Sequence, residues 1–425
     1  MANVSVEHAR PAVLGGPAAV TIPCPFWPIV GSREQDWMAE VVRSGKWSWL
    51  GEHEQAFCRD FAEFIGAKHA LCLSNGTVTI QCALQAVGVE PGHEVIVPGL
   101  TWVASAQAAM DVGANVVLVD IDPETFCIDP RAVEAAITPR TKAIMPVHLY
   151  GCMCDMDAIM EIARKHQLKV VEDVAHQHGS QWRGTGAGAI GDVGSFSFQQ
   201  SKVLTSGEGG GVTCNDDEVY EVVYALKQVG WTPDGRPADH YGHNYRITEM
   251  QCVLLRGGLS RIAEQTETRE RNARLLASEL QRIGGPLRAA QRDSRITRQA
   301  YYCMTLHFDP TLARGVTRDQ YVEAACAEGL QLGTPYAPVY RNKLLNLYDE
   351  RTSPIPYRDP ATMQNYRDLR LPVTEKVCSD TGVVLNHAHL LGDGAHMRQI
   401  VQAIEKVNSN LGALRAHFGD QAARG

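Results

Sequence analysis

The stretch Leu168-Lys169-Val170-Val171-Glu172-Asp173-Val174-Ala175-His176 decides the fold. Leu168–Asp173 has the apolar, β-branched make-up of a short strand buried on both faces, and it ends in two carboxylates. A helical pattern, Met156–His166, precedes it. Similar β-rich runs occupy Glu94–Pro98, Asn115–Ile121 and Lys142–Val147, with another helical pattern at Pro130–Ala136. Alternation of nearly unbroken apolar strands with helices predicts an α/β chain built on a mostly parallel sheet covered on both faces. Ligands of such sheets bind beyond the carboxyl ends of the strands, where Asp173 stands.

Downstream, Ser195–Phe198 reads as a further strand, and Val212–Cys214 as a short one after Gly207-Glu208-Gly209-Gly210-Gly211. A long helical region then runs from Thr248 to Ile283, with a break expected at Gly257-Gly258. Tyr301–Phe308 reads as a strand and Thr317–Glu328 as a helix stopped by Gly329, and His396–Asn408 is the expected last helix. The resulting plan has three parts. Residues 1–30 form an extended arm with Pro23, Pro25 and Pro28 around Phe26 and Trp27. Residues 31–265 form a large α/β domain, and residues 266–425 a smaller C-terminal α+β domain.

Composition removes several classes of function. A chain of 425 residues with formal net charge -8 offers no general basic surface to nucleic acid or anionic lipid. The 12 cysteines are scattered, with only Cys152 and Cys154 close together, so reduced thiols in a cytoplasmic protein are expected. Gly15, Gly16 and Pro17 interrupt any apolar leader near the start. Ala70–Val89 carries no charge, but Ser74, Asn75, Thr77, Thr79, Gln81 and Gln85 make it too polar for lipid and suit a buried helix. Gly186-Ala187-Gly188-Ala189-Ile190-Gly191 matches the G-x-G-x-x-G fingerprint. It precedes a strand where a dinucleotide site requires it to follow one, so that reading is set aside. His176 and His178 lack a third ligand in sequence reach, and no metal is expected.

Three elements carry chemistry. Ser74-Asn75-Gly76-Thr77 opens the uncharged helix after the strand Ala70–Leu73. Free N–H groups at a helix start bind phosphate, and Gly76 allows close approach, although Ser74 or Thr77 as an ordinary cap fits the same residues. Asp173, at a strand end, needs a partner when buried, and the protonated ring nitrogen of pyridoxal phosphate is such a partner. In Ser195-Phe196-Ser197-Phe198-Gln199-Gln200-Ser201-Lys202, the strand delivers Ser197 toward phosphate and Lys202 just beyond it. A lysine among neutral residues and near a cationic ring has a lowered proton affinity, which suits a Schiff base with the cofactor.

The order Ser-Asn-Gly-Thr, Thr101-Trp102, Glu172-Asp173, Phe196-Ser197-Phe198 to Lys202, and Gly242-His243-Asn244-Tyr245-Arg246 resembles the DegT-type, StrS-like sugar aminotransferases. These are fold-type I pyridoxal-phosphate enzymes related in architecture to aspartate aminotransferase. The resemblance spans Phe26 to Gly392. It implies that Gly76, Thr77 and Ser197 meet the phosphate, Trp102 stacks on the ring, Asp173 pairs with the ring nitrogen and Lys202 carries the cofactor. His176 stands where many relatives have Gln and is expected to hydrogen-bond the ring hydroxyl. Asn244 would reach the phosphate of a neighbouring subunit, implying a homodimer with shared sites. Some relatives replace the lysine by His and act as dehydratases; the intact Lys202 favours transamination.

The family implies a ping-pong cycle in which an amino donor displaces Lys202, a keto acid leaves, and a ketone is then aminated. Ala175-His176-Gln177-His178-Gly179, Phe198–Lys202 and His389-Leu390-Leu391-Gly392 most resemble the branch aminating cyclitol ketones for aminoglycoside antibiotics. That branch implies L-glutamine as donor and scyllo-inosose or 2-deoxy-scyllo-inosose as acceptor. The aminohydroxybenzoate synthase branch and nucleotide-linked keto-sugars are the alternatives, and a non-catalytic cofactor-binding sensor is a third class. Trp27, Trp47, Trp49, Tyr336, Tyr340, His387 and His389 are candidates to line a site for a polyhydroxylated ring.

Overall fold

The computed structural model describes residues 10–346 and 363–422. Residues 1–9 of the expected arm, and 347–362 and 423–425 of the expected C-terminal domain, lie outside the described residues. The large sheet contains β1 (His69–Leu73), β2 (Glu94–Pro98), β3 (Asn115–Val119), β4 (Thr141–Ile144) and β5 (Lys169–Asp173). After a small hairpin, β6 (Gln181–Trp182) and β7 (Thr185–Gly186), come β8 (Val193–Ser197) and β9 (Gly210–Cys214). The order across the sheet is β1-β9-β8-β5-β4-β2-β3. Only β9 runs against its neighbours, so the sheet is mostly parallel.

Strand periodicity sorts the side chains. Val171, Val193 and Val212 join the core under the helices Gly76–Ala86 and Val103–Asp111, whereas Val170, Phe196 and Phe198 join the opposite core with Phe57, Phe61 and Ile159. Asp173, Ser195 and Ser197 share the parity of the first set, and Glu172 that of the second. The pairing Asp173↔Ser195 brings the ends of β5 and β8 side by side.

A second, antiparallel sheet follows. It uses β10 (Leu287–Ala289), β12 (Cys303–Phe308), β13 (Leu332–Gly333) and β14 (Gly382–Asn386) in the order β10-β12-β14-β13, while β11 (Ile296–Arg298) joins the β6–β7 hairpin. Helices Arg318–Ala327 and Gly394–Ser409 cover it with a third core.

Several expectations need correction. The helix Glu249–Ile283 is continuous, with no break at Gly257-Gly258. A Cβ on Gly257 would lie 2.2 Å from the Glu34 carboxyl, and one on Gly258 2.8 Å from Leu204. These glycines admit close neighbours, and packing outweighs their helix propensity of about 1 kcal/mol each. The boundary expected at 265/266 falls inside this helix, whose Leu255 and Ile262 pack in the large core and whose Leu276 and Leu280 pack in the C-terminal one.

The expected last helix, His396–Asn408, runs from Gly394 to Ser409 and is not the last. Leu411–Ala422 follows it, held by buried Leu411, Leu414 and Phe418. From residue 10 the expected extended arm is seated on the fold. It turns at Ala12–Leu14 and docks on the C-terminal core. Glu328 accepts the Ala12 and Ala19 N–H groups at 2.7 and 2.9 Å, and Lys406 pairs with Glu328 at 2.9 Å. Several strands are shorter than their apolar runs, because β3, β4 and β12 pair only over Asn115–Val119, Thr141–Ile144 and Cys303–Phe308. Among the described residues, no helix is long and apolar enough to cross a membrane.

Candidate active site

A cavity of about 410 Å³ opens at the carboxyl ends of β5 and β8. Its floor at one end is the start of the helix Gly76–Ala86. Asn75, and not Ser74 or Thr77, caps this helix, its side chain accepting the Val78 N–H at 3.0 Å. The Gly76 and Thr77 amides therefore remain at the cavity wall, the arrangement that suits an anion. Gly76 is required by the strand opposite, since a Cβ there would sit 2.7 Å from Ser197 Cβ. Ser197 thus lines the same end of the cavity.

Asp173 lies buried at the centre. Ser105 Oγ donates to its Oδ2 at 2.7 Å and the Ala175 N–H to its Oδ1 at 3.1 Å. Thr101 Oγ1 in turn sits 2.8 Å from Ser105 Oγ and orients it. Burial pushes the Asp173 carboxyl above its ordinary range, partly offset by Ser105, the Ala175 amide and the positive charge of Lys202. Two neutral donors leave a carboxylate with spare lone pairs facing the cavity, which a cationic N–H group would satisfy.

The buried Lys202 amine lies 4.3 Å from the centre of the Tyr302 ring. Burial lowers its proton affinity to about 8, and Asp173 opposes this only in part. A fraction of the amine is therefore neutral and nucleophilic near neutral pH. His176 stacks on the other aromatic neighbours, 3.9 Å from Tyr302 and 5.7 Å from Tyr150 between ring centres. The Tyr150 N–H donates to His176 Nδ1 at 3.1 Å, which puts the ring proton on Nε2 as a donor. Burial and Lys202 hold this imidazole well below its ordinary range, so it is neutral. Trp102 is more than half exposed at the rim, 5.4 Å from the Tyr336 ring, and both line the cavity.

The structure brings Gly76, Thr77, Trp102, Asp173, His176, Ser197, Lys202 and Tyr336 to one cavity. Other expected residues lie elsewhere. Asn244 is exposed and pairs with Gln228 in an isolated bridge, outside the cavity. Tyr340 is buried in the large core with its hydroxyl on Glu375 at 2.8 Å. His389 is buried against His396 at 2.9 Å, and Trp47 and Trp49 are surface side chains. Trp27 and His387 stand behind the lysine and not in the cavity. Aromatic content alone does not distinguish core, surface and site, which is why this set scattered.

Sequence reasoning missed Tyr302 and Ser105, and it quoted Thr101 within the family pattern without a role. Ser105 and Thr101 carried a usable signal, flanking Trp102 where a helix starts beside the site. Tyr302 carried none, because a Tyr-Tyr pair entering a strand reads as core.

A parallel-rich α/β sheet with a buried lysine, a partly satisfied carboxylate and an open helix start at one cavity is the architecture of an aminotransferase. Solved structures agree. The 3-amino-5-hydroxybenzoic acid synthase superposes with a TM-score of 0.80 at 33% identity, over 90% of this chain and 98% of that one. An aminotransferase from Psychrobacter cryohalolentis gives 0.83 at 30% identity, over 92% and 100%. The chain belongs to the DegT/DnrJ/EryC1/StrS aminotransferase family, matched over residues 28–404. A Streptoalloteichus tenebrarius relative provisionally named L-glutamine:3-amino-2,3-dideoxy-scyllo-inosose aminotransferase is 40% identical, over 95% of this chain and 99% of its own. A second protein of that organism, named L-glutamine:2-deoxy-scyllo-inosose aminotransferase, is 38% identical over the same shares.

Proposed function

We propose that this aminotransferase uses pyridoxal phosphate to move the amino group of L-glutamine onto a cyclitol ketone of the 2-deoxy-scyllo-inosose type, a step of aminoglycoside assembly. The observation that carries the reading is the convergence of Lys202, Asp173 and the Gly76–Thr77 helix start on one cavity, in a chain alignable end to end with relatives of that name. The donor set fits the cofactor. The Gly76 and Thr77 amides with Ser197 would hold its phosphate, Asp173 its protonated ring nitrogen, the His176 Nε2–H its ring hydroxyl, and Lys202 its aldehyde carbon. Trp102 would cover the ring, and Asn244 would serve a second subunit's phosphate in a homodimer with shared sites.

Bound there, pyridoxal phosphate supplies a carrier for the amino group and a cationic ring that withdraws electrons. The protein's share is positioning and proton handling. Lys202 Nζ, with its lowered proton affinity, would take the proton from the donor's α-carbon and hand it to the carrier carbon, and would move a proton the opposite way when the ketone is aminated. Asp173 stays ionised when a cation meets it, because the ion pair offsets its burial. The aromatic side chains of Tyr302, Tyr336 and Trp102 line the cavity and would offer faces to the C–H surface of a polyhydroxylated ring.

The test is spectroscopic. The purified protein with cofactor is expected to absorb at about 410–430 nm and to shift toward about 330 nm on addition of L-glutamine. The glutamine-treated form is then offered scyllo-inosose, 2-deoxy-scyllo-inosose, its 3-amino-2,3-dideoxy counterpart and a nucleotide-linked keto-sugar. Recovery of the long-wavelength band with a cyclitol ketone supports the proposal. A band indifferent to glutamine, or restored only by the nucleotide sugar, overturns the donor or the acceptor.

A further inference from the structure

Arg269 is buried to 1% exposure in the helix Glu249–Ile283, and among the described residues no carboxylate pairs with it. Burial alone pulls its guanidinium down to about 9. Its Nε and one terminal nitrogen have no hydrogen-bond acceptor among the described residues. An uncompensated guanidinium in a core is costly, and a well-packed apolar residue would serve stability as well or better. What it does contact is specific. The guanidinium lies 5.0 Å from the centre of the Trp27 ring, and its other terminal nitrogen donates to His387 Nδ1 at 3.2 Å.

Both neighbours point at the lysine. Trp27 Nε1–H donates to the main-chain carbonyl of Lys202 at 3.2 Å. His387, whose Nδ1 is taken by Arg269, carries its proton on Nε2, and the main chain of Ser201 lies beside this ring. The Trp27 and His387 rings meet edge to face at 4.8 Å. The lysine loop is thus held at the Lys202 carbonyl by the N-terminal segment and flanked at Ser201 by the turn after β14, and one arginine from the long helix contacts both neighbours. None of the three side chains lines the cavity.

We propose that Arg269, His387 and Trp27 are positioning residues for the reactive lysine, a clamp that aims Lys202 Nζ from behind its backbone. Its logic is that of a ligand-orienting shell, where fixing the tautomer of one histidine fixes the bond it makes. Because the clamp is drawn from the N-terminal segment and the C-terminal part of the chain, it also ties the lysine's aim to how those parts seat on the large sheet. The inference rests on Lys202 being the reactive amine.

The test compares wild type with Arg269→Met, His387→Leu, His387→Gln and Trp27→Phe. Borohydride reduction of the wild-type holoenzyme followed by peptide mass analysis first asks whether Lys202 holds the cofactor; an unlabelled Lys202 overturns the functional reading itself. With the label present, Arg269→Met and His387→Leu are expected to lower kcat about tenfold or more, since small misplacement of a reacting group is expensive, with KM for L-glutamine within about twofold. Trp27→Phe, which keeps the ring face and loses the donor, should lower kcat less. His387→Gln can accept from Arg269 and present a donor beside Ser201, so it should recover most of the loss. In the cofactor-free proteins, amide exchange across residues 199–207 should quicken in His387→Leu and not in His387→Gln. Unchanged kcat in Trp27→Phe and His387→Leu, equal loss in the two His387 variants, or a loss confined to KM overturns the clamp. Should Arg269→Met fail to fold, the His387 pair and Trp27→Phe decide.

Discussion

Glu172 and Asp173 are consecutive carboxylates at the end of β5, both buried, and the pleat sends them to opposite faces of the sheet. Glu172 is fully partnered by the protein. It accepts the N–H groups of Gly188, Ile190 and Gly191 at 3.0, 2.9 and 2.7 Å, and a fourth bond from His148 Nε2 at 3.0 Å. The G-x-G-x-x-G run is therefore a cradle for the chain's own carboxylate, with no dinucleotide phosphate involved. Among the described residues Asp173 has only Ser105 and the Ala175 amide as donors, and it faces a cavity. The difference teaches that a buried acid is read by its donors: a saturated one builds the fold, and a half-satisfied one beside a cavity awaits a cationic partner.

The severest way to break the comparison acts on the amine beside Asp173. Lys202→Ala should abolish the long-wavelength band and reduce transamination by about 10⁴-fold or more, measured in single-turnover assays with L-glutamine, because no other side chain replaces the nucleophile. A band that persisted would place the cofactor elsewhere. Next, Asp173→Asn should keep the fold and lower the glutamine half-reaction by about 10²–10³-fold, the cost of removing a preorganised charge from a dry site.

Glu172→Gln is the counterpart, with the opposite signature. It should lose about 2–4 kcal/mol of stability in denaturant unfolding, since one backbone donor is left facing an amide hydrogen, while folded molecules keep most of their activity. If Glu172→Gln lost activity as Asp173→Asn does without losing stability, the division between the two acids would fail.

The smallest effect concerns pH. Lys202, lowered to about 8 by burial, reacts as the neutral amine, so cofactor capture by the cofactor-free protein should rise with pH and level off above about 8. The Tyr302 face favours the ammonium. Tyr302→Leu should therefore move the midpoint lower by about 0.5–1 pH unit, while Tyr302→Phe leaves it nearly in place. Asp173, which holds the ammonium in the same direction, is unchanged in both variants. An upward shift in Tyr302→Leu would show that the ring does not stabilise the charge.

Much of the site was legible because its chemistry sits on regular elements. Strand parity and strand ends place Asp173, Ser197 and Lys202, and helix starts place Gly76 and Thr77, so local pattern suffices. The aromatic and histidine candidates were not legible, because nothing local separates Tyr340 in a core from Tyr336 at a cavity. The same holds for Gly257-Gly258, whose close neighbours Glu34 and Leu204 are remote in sequence.

By itself the sequence determined the α/β architecture, the long helix as an element, the family resemblance, and the lysine and carboxylate that one cavity brings together. These follow from periodicity and from residue chemistry within a few positions. Only the tertiary structure decided which acid is saturated, on which nitrogen His176 carries its proton, that Tyr302 lies against the lysine, and that Trp27 bonds its main-chain carbonyl. Each of those depends on a contact between segments far apart in the chain, and burial, not residue type, sets what the contact does.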